Sequence, residues 1–420
     1  MKVIVVGSGL LGVSTAYWLS KAGAQVTVFD RAGGPARETS FANGALVTPS
    51  MSDPWNAPGV LWRLLGWLGR EDSPMLLRPR ALPSLAGWGL RFLRESSERR
   101  FHANTLANLS LATYSLATLR ELRARIALDY DLGTLGTLKV TRDSRGFEAA
   151  RSMAAWIGGH GVSWRELDRA QTVALEPSLA PIGAEIAGSI HFPDDEHGDA
   201  RRFCEGLAAR AANDGVEFRY STTIDALEYD GRRVRGVRSR NRTIGADAFV
   251  VAAGSFSPQL LRGLGIRLPV APVKGYSITV PIPAGVTCPA IPILDDELHA
   301  VAAPLNGKLR IAGTAEFAGH DVSVPESRIE NLMRLLKRTF PTIARVTQRD
   351  SIEPWSGLRP MSADGVPIVG RTPIDNLFLN TGHGHLGWTM AAGSGRVLAD
   401  LMTGRSPAID LKPYSLTRFD

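Results

Sequence analysis

The apolar positions at the start of the chain follow first a strand pattern and then a helix pattern. Lys2–Val6 is a short run rich in β-branched residues, which is typical of a buried parallel strand. Over residues 13–22 the apolar positions recur at helical spacing, and Gly23 follows as a C-terminal stop. A second strand over Gln25–Phe29 ends in Asp30. The pattern therefore predicts a strand–turn–helix–strand unit.

The rest of the chain predicts further helices and strands in mixed order. Apolar residues at helical spacing predict helices over these residues: 101–126, about 145–158, 203–212, about 326–339, and a last one that ends near 402. Short apolar runs predict strands over these residues: 134–140, 216–220, 226–237 (a hairpin), 244–254, 275–280, 299–304, 308–313 and 377–380. From Pro269 to about Trp355 the strands alternate with proline turns, which indicates an antiparallel sheet and a second domain.

Two strand–helix pieces, at the start of the chain and around 244–254, flank a discontinuous insertion. The predicted fold class is α/β, with a Rossmann-type cofactor-binding domain and a substrate domain that has a mainly antiparallel sheet, both discontinuous in sequence. The predicted cofactor-binding domain comprises residues 1–55, 145–268 and 356–420. The predicted substrate domain comprises residues 56–144 and 269–355, with 53–100 as a lid or a membrane-facing segment.

Three glycines lie between the first strand and the first helix. Gly7 permits a tight turn, Gly9 lets a pyrophosphate approach the backbone, and Gly12 lets the helix pack closely against the strand. The helix N-terminus favours phosphate, and Asp30 is placed to accept hydrogen bonds from a ribose hydroxyl. The unit predicts dinucleotide binding and leaves NAD and FAD open. A secretory signal is the alternative, but the glycines, the lack of a cleavage site and the second strand argue against it.

Composition narrows the class of protein. The chain has 420 residues, 44% hydrophobic and 21% charged, which is sufficient for two domains with a substantial core. No stretch is as long and uninterruptedly apolar as a transmembrane helix requires. Cys204 and Cys288 form no disulfide framework and no metal-ligand pattern, which fits a reducing cytoplasm. The net charge of +7 is compatible with anionic substrates, membrane surfaces or nucleic acid and selects none of them.

Two segments near the start of the chain each allow two interpretations. Residues 38–45 are small, polar and glycine-containing, which suits either a cofactor's phosphate and sugar chain or an ordinary surface loop. Residues 53–100 interleave aromatic and basic residues on short, proline-interrupted helical pieces, which suits a bilayer interface or a lid over the active site, and the two can coexist. The residues concerned are Trp55, Trp62, Trp67, Trp88, Arg63, Arg70, Arg78, Arg80, Arg91 and Arg94.

Acids and histidines cluster over residues 191–199 and raise the question of a metal site. Their spacing fits no zinc or EF-hand pattern. A loop that leads to a helix N-cap at Asp199 explains the cluster without a metal. We therefore predict no metal site.

The last third of the chain carries the most specific motifs. With three earlier motifs, they resemble those of bacterial FAD-dependent D-amino acid dehydrogenases, within the glycine/D-amino acid oxidase superfamily. The motifs are Thr39-Ser40 with Asn43, Val273-Lys274-Gly275-Tyr276-Ser277, Ile293-Leu294-Asp295, Gly357-Leu358-Arg359-Pro360, Thr381-Gly382-His383-Gly384 and Leu386-Gly387-Trp388-Thr389-Met390. The resemblance extends from residue 1 to about 405.

The resemblance implies noncovalent FAD, since the cysteine through which sarcosine-oxidase relatives attach flavin has no obvious counterpart here. The discontinuous layout also suits FAD better than a nicotinamide cofactor. The predicted cofactor-binding residues are Gly7, Gly9, Leu10, Leu11, Gly12, Asp30, Arg31, Ser40, Asn43, Gly44, Ala253, Gly254, Gly382, His383, Gly384, Leu386, Gly387, Trp388 and Thr389.

The resemblance also implies an active site around Arg359. It matches Arg359 to the arginine that holds the substrate carboxylate and Tyr276 to a tyrosine near that carboxylate, and it places His383 and Trp388 close to the flavin. A guanidinium is a planar fork that binds a carboxylate through two hydrogen bonds, which favours this role for Arg359 on physical grounds. A structural salt bridge is the alternative for Arg359.

The hypothesis from the sequence is an enzyme that oxidatively deaminates a D-amino acid. Hydride passes from the α-carbon to flavin N5, the imino acid hydrolyses to a 2-oxo acid and ammonia, and a quinone or other acceptor takes the electrons. An oxygen-using oxidase acting on glycine, sarcosine or D-proline-like amines is the close alternative, and an RNA-modifying flavoprotein is the distant one. We expect no nucleic-acid partner. The expected location is cytoplasmic, and peripheral contact with the inner face of the cell membrane is left open.

Overall fold

The computed structural model describes residues 1–67, 71, 73–295 and 300–420. The strands are β1 (Lys2–Val6), β2 (Gln25–Phe29), β3 (Leu46–Val47), β4 (Met75–Leu77), β5 (Thr137–Thr141), β6 (Arg165–Leu167), β7 (Gly188–Phe192), β8 (Glu196–His197), β9 (Glu217–Arg219), β10 (Ala226–Tyr229), β11 (Val234–Ser239), β12 (Arg242–Ile244), β13 (Ala248–Val251), β14 (Val270–Pro281), β15 (Ile293–Asp295), β16 (Ala300–Leu305), β17 (Lys308–Phe317), β18 (Glu353–Ser362), β19 (Ile368–Arg371) and β20 (Leu377–Thr381).

The α-helices are α1 (Leu10–Lys21), α2 (Val60–Trp67), α3 (Leu82–Arg94), α4 (Glu98–Arg125), α5 (Ser144–Gly158), α6 (Arg169–Leu175), α7 (Ala200–Asn213), α8 (Ser257–Arg262), α9 (Glu326–Thr339), α10 (Pro341–Val346) and α11 (Gly387–Met402). Within the described residues, no helix combines the length and the apolarity needed to cross a bilayer. Four residues of the sequence predictions fall outside this description: Arg70, His299 and the side chains of Arg63 and Trp67.

One sheet contains the two strands that begin the chain. Its strand order is β19-β20-β13-β1-β2-β9, and every pair is parallel except β19–β20. On one face of this sheet, α1 packs against α7 and α11, and α4 packs against α11. These elements share one hydrophobic core, in which Leu19, Leu111 and Val397 are fully buried. The predicted Rossmann-type domain is confirmed.

Helix α1 shows why this core begins with the first thirty residues. Its residues Leu10 to Leu19 are all buried, and a helix that is apolar all round needs protein on every side. It ends where Gly23 adopts a φ of +88°, a conformation that glycine reaches without steric cost. Lys21 lies in the last turn, where a cation interacts favourably with the helix dipole.

A second, larger sheet forms the other half of the molecule. Its order is β18-β14-β17-β16-β15-β5-β7-β6, with β4 beside β17, and the pairs are antiparallel except β15–β5 and β17–β4. Because side chains alternate along a strand, β14 presents Ile278 and Val280 to helix α9 and the residues between them to the opposite face. That opposite face borders the space between the two sheets.

The strand pairing corrects the predicted domain boundaries in three places. Strands β6 and β7 lie in the range predicted for the cofactor domain but pair within the second sheet. Strand β18 overlaps the predicted range 356–420 but is an edge of that second sheet. Helix α4, predicted for the substrate domain, packs in the first core. Pairing between strands that are distant in sequence leaves no local signal, so these boundaries followed from composition changes alone.

Most predicted elements are present with shifted ends. The predicted strand 244–254 is two elements, because β12 ends at Ile244 and β13 begins only at Ala248. The predicted N-cap is confirmed, since the Asp199 carboxylate accepts hydrogen bonds from the N–H groups of Arg201 and Arg202.

Candidate active site

A cavity of about 850 Å³ lies between the two sheets. Residues from the first strands, from the 38–60 segment, from the second sheet and from the start of α11 line it. The structure brings the predicted cofactor residues together here, apart from Gly12 and Gly382, which do not line the cavity. Arg359 and Tyr276 border the same cavity.

The turn between β1 and α1 depends on glycine. Gly7 has a φ of +110°, and a Cβ there would lie 2.5 Å from the carbonyl oxygen of Ala252. A Cβ on Gly12 would overlap the carbonyl oxygen of Gly7. The N-cap of α1 is Gly9, which has no side chain to occupy the helix N-terminus. Because Gly9 has no side chain, an anionic group in the cavity can approach this helix end closely, although the N–H groups of Gly7, Ser8 and Leu10 already have partners within the protein.

Asp30 is held in place at the end of β2 and retains accepting capacity. Its Oδ2 accepts hydrogen bonds from the Ser8 N–H at 2.6 Å and the Ser8 hydroxyl at 2.8 Å. Its Oδ1 accepts from the Ala32 N–H at 2.8 Å. A carboxylate oxygen accepts two hydrogen bonds, so Oδ1 keeps one position for a ribose hydroxyl.

Residues 38–45 follow the cavity wall. The Ser40 hydroxyl accepts from the Leu10 N–H at 3.3 Å, at the N-terminus of α1. Asn43 Oδ1 accepts from the Ala45 N–H at 3.0 Å, and Ala45 has a φ of +61°. A Cβ on Gly44 would lie 3.3 Å from Val301 of the second sheet. The segment thus joins the two halves along the cavity, which favours the cofactor interpretation over a surface loop.

The start of α11 forms a second open helix end at the cavity. Leu386 is its N-cap and offers no side-chain hydrogen bond, while Gly387 and Thr389 line the cavity. The Thr389 hydroxyl accepts from the Thr48 N–H at 3.0 Å, which fixes the wall opposite the helix. The predicted residues Gly382 and Gly384 have φ values of +78° and +55° and make the tight turn before the helix.

His383 is buried in this turn and carries unused polar atoms. Neither ring nitrogen has a hydrogen-bond partner among the described residues. Burial lowers the pKa of His383 to about 3, so the imidazole is neutral at neutral pH. His383 lines the cavity, but both of its ring nitrogens are buried and do not face it, so we assign the imidazole to the wall and not to ligand binding.

Across the cavity, Arg359 lies on the sheet surface over Gly275 of the neighbouring strand. A Cβ at Gly275 would overlap the guanidinium, so the missing side chain makes the room that Arg359 occupies. Arg359 Nη1 donates to the carbonyl oxygen of Thr314 at 3.1 Å, and no carboxylate pairs with it among the described residues. Burial lowers the pKa of Arg359 to about 10, which still leaves it cationic at neutral pH. Among the described residues, Arg359 therefore forms no salt bridge.

Backbone strain and aromatic rings hold the guanidinium. Thr314 has a φ of +55° at an irregularity in the β14–β17 pairing, and its carbonyl oxygen is the one that Arg359 contacts. The Trp55 ring centre lies 5.5 Å from Arg359 Cζ. The Trp355 indole covers Gly357, where a Cβ would overlap the ring.

Tyr276 is not placed as the resemblance implies. It borders the cavity, but it is 1% exposed, and its hydroxyl donates to Glu316 Oε2 at 2.5 Å within the core beneath α9. Burial raises the pKa of Tyr276 well above its usual range, and the hydrogen bond to Glu316 raises it further. The hydroxyl is therefore committed to Glu316 and not to a carboxylate at Arg359.

Two other predicted residues have structural partners. The Trp388 indole N–H donates to the Gly198 carbonyl oxygen at 3.1 Å, and its ring packs on Phe203 in the first core. The Arg31 guanidinium lies 3.8 Å from the centre of the Phe256 ring and pairs with Glu38 at 2.5 Å. Both line the cavity as wall residues. Ala253 and Gly254 line it after β13, where the Gly254 carbonyl oxygen accepts from Thr381 at 3.1 Å.

The sequence predictions missed three residues around Arg359. The Trp55 ring, assigned to a lid or membrane contact, stacks on His385 at 5.4 Å between ring centres. His385 lines the cavity, and its Nε2 lies 3.3 Å from the Met51 carbonyl oxygen. Asp53 lines the cavity too. Residues 51–57 are not a strand, because Met51 ends a 3₁₀ turn and the chain bends at Trp55, but buried and half-buried residues alternate along them.

The residues present fit FAD. The glycine turn and Asp30 provide for a pyrophosphate and a ribose, and Gly387 and Thr389 at the start of α11 lie farther along the cavity. The open N-terminus of α11 favours negative charge at that end. A dinucleotide that spans both ends would use each of these groups.

Comparison with known proteins gives the same cofactor. The model of the FAD dependent oxidoreductase family matches residues 2–401. A D-amino acid dehydrogenase of Paramagnetospirillum magneticum is 47% identical over 100% of this chain and 99% of its own length. A D-amino acid dehydrogenase of Methylobacterium nodulans is 41% identical with the same coverage.

Solved structures share the fold. Glycine oxidase from Geobacillus kaustophilus has a TM-score of 0.77 at 23% identity and covers 99% of this chain and 98% of its own. L-proline dehydrogenase from P. horikoshii has a TM-score of 0.78 at 16% identity, with 100% and 97% coverage. The predicted α/β fold and the predicted FAD are both confirmed.

Proposed function

The chain belongs to the family of FAD-dependent oxidoreductases, and from this membership we propose that it oxidatively deaminates a D-amino acid. The names of the curated relatives support the D-amino acid as substrate. The amino acid loses two electrons and its α-hydrogen to become an imino acid, and water then releases ammonia and a 2-oxo acid. When bound, FAD supplies the hydride acceptor.

The observation that carries this proposal is the half-buried guanidinium of Arg359, which faces the cavity and has no acid partner among the described residues. A buried cation without an acid partner is costly unless a ligand compensates it. The planar fork of Arg359 matches a carboxylate, and the Thr314 carbonyl oxygen fixes its orientation through Nη1. Arg359 thus binds the acid end of the substrate and orients its α-carbon.

Other residues exclude water from the cavity and limit the number of charges in it. Trp55 and Trp355 cover the substrate end of the cavity with aromatic surface. His383 stays neutral at working pH because burial lowers its pKa, so it adds no charge beside the cofactor. Neither Cys204 nor Cys288 lines the cavity, which supports noncovalent FAD.

Anaerobic reduction of the bound flavin tests the proposal. Purified protein is mixed with a panel of small D-amino acids, including D-alanine and D-proline, and flavin absorbance is followed. We expect bleaching by at least one D-amino acid and none by its L-enantiomer, which is the matched control. A flavin that stays oxidised throughout would overturn the proposal.

For the electron acceptor, we propose a quinone rather than oxygen. The relatives that cover the whole chain are named dehydrogenases, whereas the oxidase is similar at the level of fold alone. Reoxidation of substrate-reduced enzyme by a soluble quinone should outpace reoxidation in air-saturated buffer. Peroxide formed in equal amount to the substrate consumed would favour the oxidase alternative instead.

Residues 53–94 support a second proposal, of peripheral membrane contact. Their inner side forms the cavity wall, while Trp62 and Leu90 on α2 and α3 are 76% and 73% exposed. Arg80 and Arg91 of the same segment are exposed too. Exposed tryptophan and leucine with arginines suit the surface of an anionic bilayer, so the segment serves as a lid on one side and a contact surface on the other.

Flotation with anionic liposomes tests this contact. The wild type should float at low salt and be released at high salt, because surface electrostatics are screened. Changing Trp62 and Leu90 together to serine should abolish flotation, whereas Val322→Ser, at an exposed apolar residue elsewhere, should not. Equal flotation of both variants would contradict the proposed surface.

A further inference from the structure

Buried and half-buried residues alternate along residues 51–57, a segment that leaves a 3₁₀ turn at Met51 and bends at Trp55. Ser52, Pro54 and Asn56 are buried, and Met51, Asp53, Trp55 and Ala57 are half-buried. The half-buried residues and Pro54 line the cavity. Pro54 packs against Gly365, which has a φ of +77° and where a Cβ would overlap the proline. The buried residues therefore fix the wall, and Asp53 is presented to the cavity on a rigid support.

Asp53 differs from the other acids around the cavity. Asp30 accepts bonds from Ser8 and Ala32, Glu38 pairs with Arg31, Asp225 accepts from the Arg240 N–H, and Asp295 pairs with Arg142. Among the described residues, Asp53 has no hydrogen bond or ion pair. It is a carboxylate at the substrate end of the cavity that is free to accept a ligand group.

Asp53 lies within reach of a substrate bound at Arg359. Both residues line the same cavity, and the ring centre of Trp55, two residues after Asp53, lies 5.5 Å from Arg359 Cζ. Burial lowers the pKa of His385, the Asp53 carboxylate opposes that shift, and the Arg359 guanidinium adds to it. Both charges thus act on one imidazole from the same part of the cavity.

Arg359 and Asp53 therefore present a cation and an anion to the cavity, and no described residue forms an ion pair with either. From this arrangement, and resting on the proposed function, we infer that Asp53 selects substrates whose side chain ends in a cation, such as an amine on a four-carbon stem. The substrate carboxylate binds at Arg359, the stem passes Trp55, and the terminal ammonium pairs with Asp53.

The α-amine is the other candidate partner of Asp53, and the chemistry argues against it. Removal of hydride from the α-carbon needs a neutral amine, whose lone pair stabilises the developing iminium. A carboxylate beside the α-ammonium favours its charged form and raises its pKa, which would hold the reactant in the unreactive state. A carboxylate at the far end of the side chain has no such effect.

Binding to the oxidised, FAD-loaded protein tests the inference without turnover. The probes are 6-aminohexanoate and heptanoate, which differ only in a terminal ammonium or methyl group and lack an α-amine. Changes in flavin absorbance give the two Kd values. We expect 6-aminohexanoate to bind about tenfold more tightly or better, because a charge-assisted hydrogen bond is strong at a partly buried site.

Variants at Asp53 decide the source of this preference. Asp53→Asn should bring the ratio of the two Kd values to about 1, and Asp53→Glu, which keeps the charge, should restore most of it. Asp375→Asn makes the same change at an exposed residue before β20, away from the cavity, and should keep the wild-type ratio. Flavin content measured on each variant verifies that it folds and holds FAD.

Turnover of D-lysine and D-2-aminoheptanoate measures the same preference in catalysis. Asp53→Asn should lower the ratio of their kcat/KM values about tenfold or more. An unchanged Kd ratio in Asp53→Asn, or a wild-type ratio near 1, overturns the inference. The inference is also overturned if Asp53→Asn weakens the binding of D-alanine more than that of propanoate, because Asp53 would then bind the α-amine. If no D-amino acid reduces the flavin but the Kd ratio behaves as expected, the proposed reaction fails and the cation site stands.

Discussion

The two faces of strand β14 carry buried charge in different ways. On the cavity face, Arg359 lies over Gly275 and donates to one carbonyl oxygen. On the opposite face, Lys274 and Tyr276 project from the same strand towards Glu316 of β17. Successive residues of a strand point to opposite faces, so a single layer of backbone separates the two groups.

The difference between the faces is whether the charge has a partner. Glu316 accepts from Tyr276 and pairs with Arg78 at 2.8 Å and with Lys274 at 3.7 Å, and Arg328 lies 3.9 Å away. These charges compensate one another without a ligand, which is typical of a structural network. Arg359 lacks such compensation among the described residues. We therefore assign stability to the Glu316 face and substrate binding to the Arg359 face.

Removing the unpaired arginine should produce the largest change. Arg359→Met should lower kcat/KM for the best D-amino acid by roughly 10³-fold, because one partner of a buried charge pair is lost. The free energy of unfolding should stay equal or rise, since an uncompensated buried charge disappears. Stopped-flow flavin reduction and urea unfolding measure the two quantities.

The control for this change lies on the other face. Arg328 donates to the carbonyl oxygens of Glu71, Ser73 and Ala315 and is fully buried. Arg328→Met should therefore lower stability, because three hydrogen bonds of a fully buried side chain are lost. If Arg359→Met destabilised the protein as much as Arg328→Met, the proposed contrast between the faces would be wrong.

Breaking the paired network should cost stability rather than binding. Glu316→Gln removes the carboxylate that Arg78 and Arg328 face, while Lys274 keeps Asp321 at 2.9 Å, so the free energy of unfolding should fall by about 3 kcal/mol. The Kd of a carboxylate probe such as propanoate should change far less. A large loss of propanoate binding without a loss of stability would show that Glu316 belongs to the binding site.

Filling the space under the guanidinium should sharpen the contrast. A Cβ at Gly275 overlaps Arg359, whose flexible end must move away. Gly275→Ala should then lower kcat/KM by roughly 10²-fold, since small displacements of positioning groups are costly in catalysis. Gly89→Ala, where a Cβ meets nothing within 4 Å, is the matched control. Equal activity of the two variants would mean that Arg359 does not need its observed position.

The smallest effect expected is in the pH dependence of stability. Burial lowers the pKa of His383 to about 3. As the pH falls below about 6.5, the imidazole is protonated in the unfolded chain but not in the folded chain, so the free energy of unfolding falls. The pKa of Glu316 is also lowered, by its hydrogen bonds to Arg78 and Tyr276 against the opposing effect of burial. Its contribution is lost only as the pH falls below about 4.5.

The two groups therefore act in different pH windows. Between pH 6.5 and 4.5, His383→Gln should flatten the fall in unfolding free energy by at most about 1.4 kcal/mol per pH unit. Glu316→Gln should leave the slope in this window unchanged. His197, whose pKa burial lowers to about 4, adds to the same slope, and Asp195, whose pKa burial raises to about 7, opposes it. Urea unfolding with excess FAD at each pH measures the slopes, and a change of slope in Glu316→Gln would contradict the assignment.

The site was predictable from the sequence where a motif is local. The glycine turn, Asp30 and Arg359 were identified from their flanking residues, and all but Gly12 and Gly382 of the predicted cofactor residues line one cavity. The resemblance placed Tyr276 near the substrate carboxylate. Side chains alternate along β14, however, so Tyr276 projects from the face opposite to Gly275. Asp53 and Trp55 were missed because their segment was judged by composition and not by which residues share a face.

The sequence by itself determined the first strand–turn–helix–strand unit and the α/β class. Both follow from residues that are neighbours in the chain, because steric limits at glycine and the spacing of apolar residues act locally. The choice of FAD over NAD came instead from motifs spread along the chain, through their resemblance to a known family. Only the tertiary structure decided that β18 lies beside β14, which brings Gly275 under Arg359, and that Glu316 rather than a ligand receives Tyr276. Strand pairing and burial bring together residues that are far apart in the chain. No local pattern therefore specifies which charged side chain pairs within the protein and which one is left to bind a substrate.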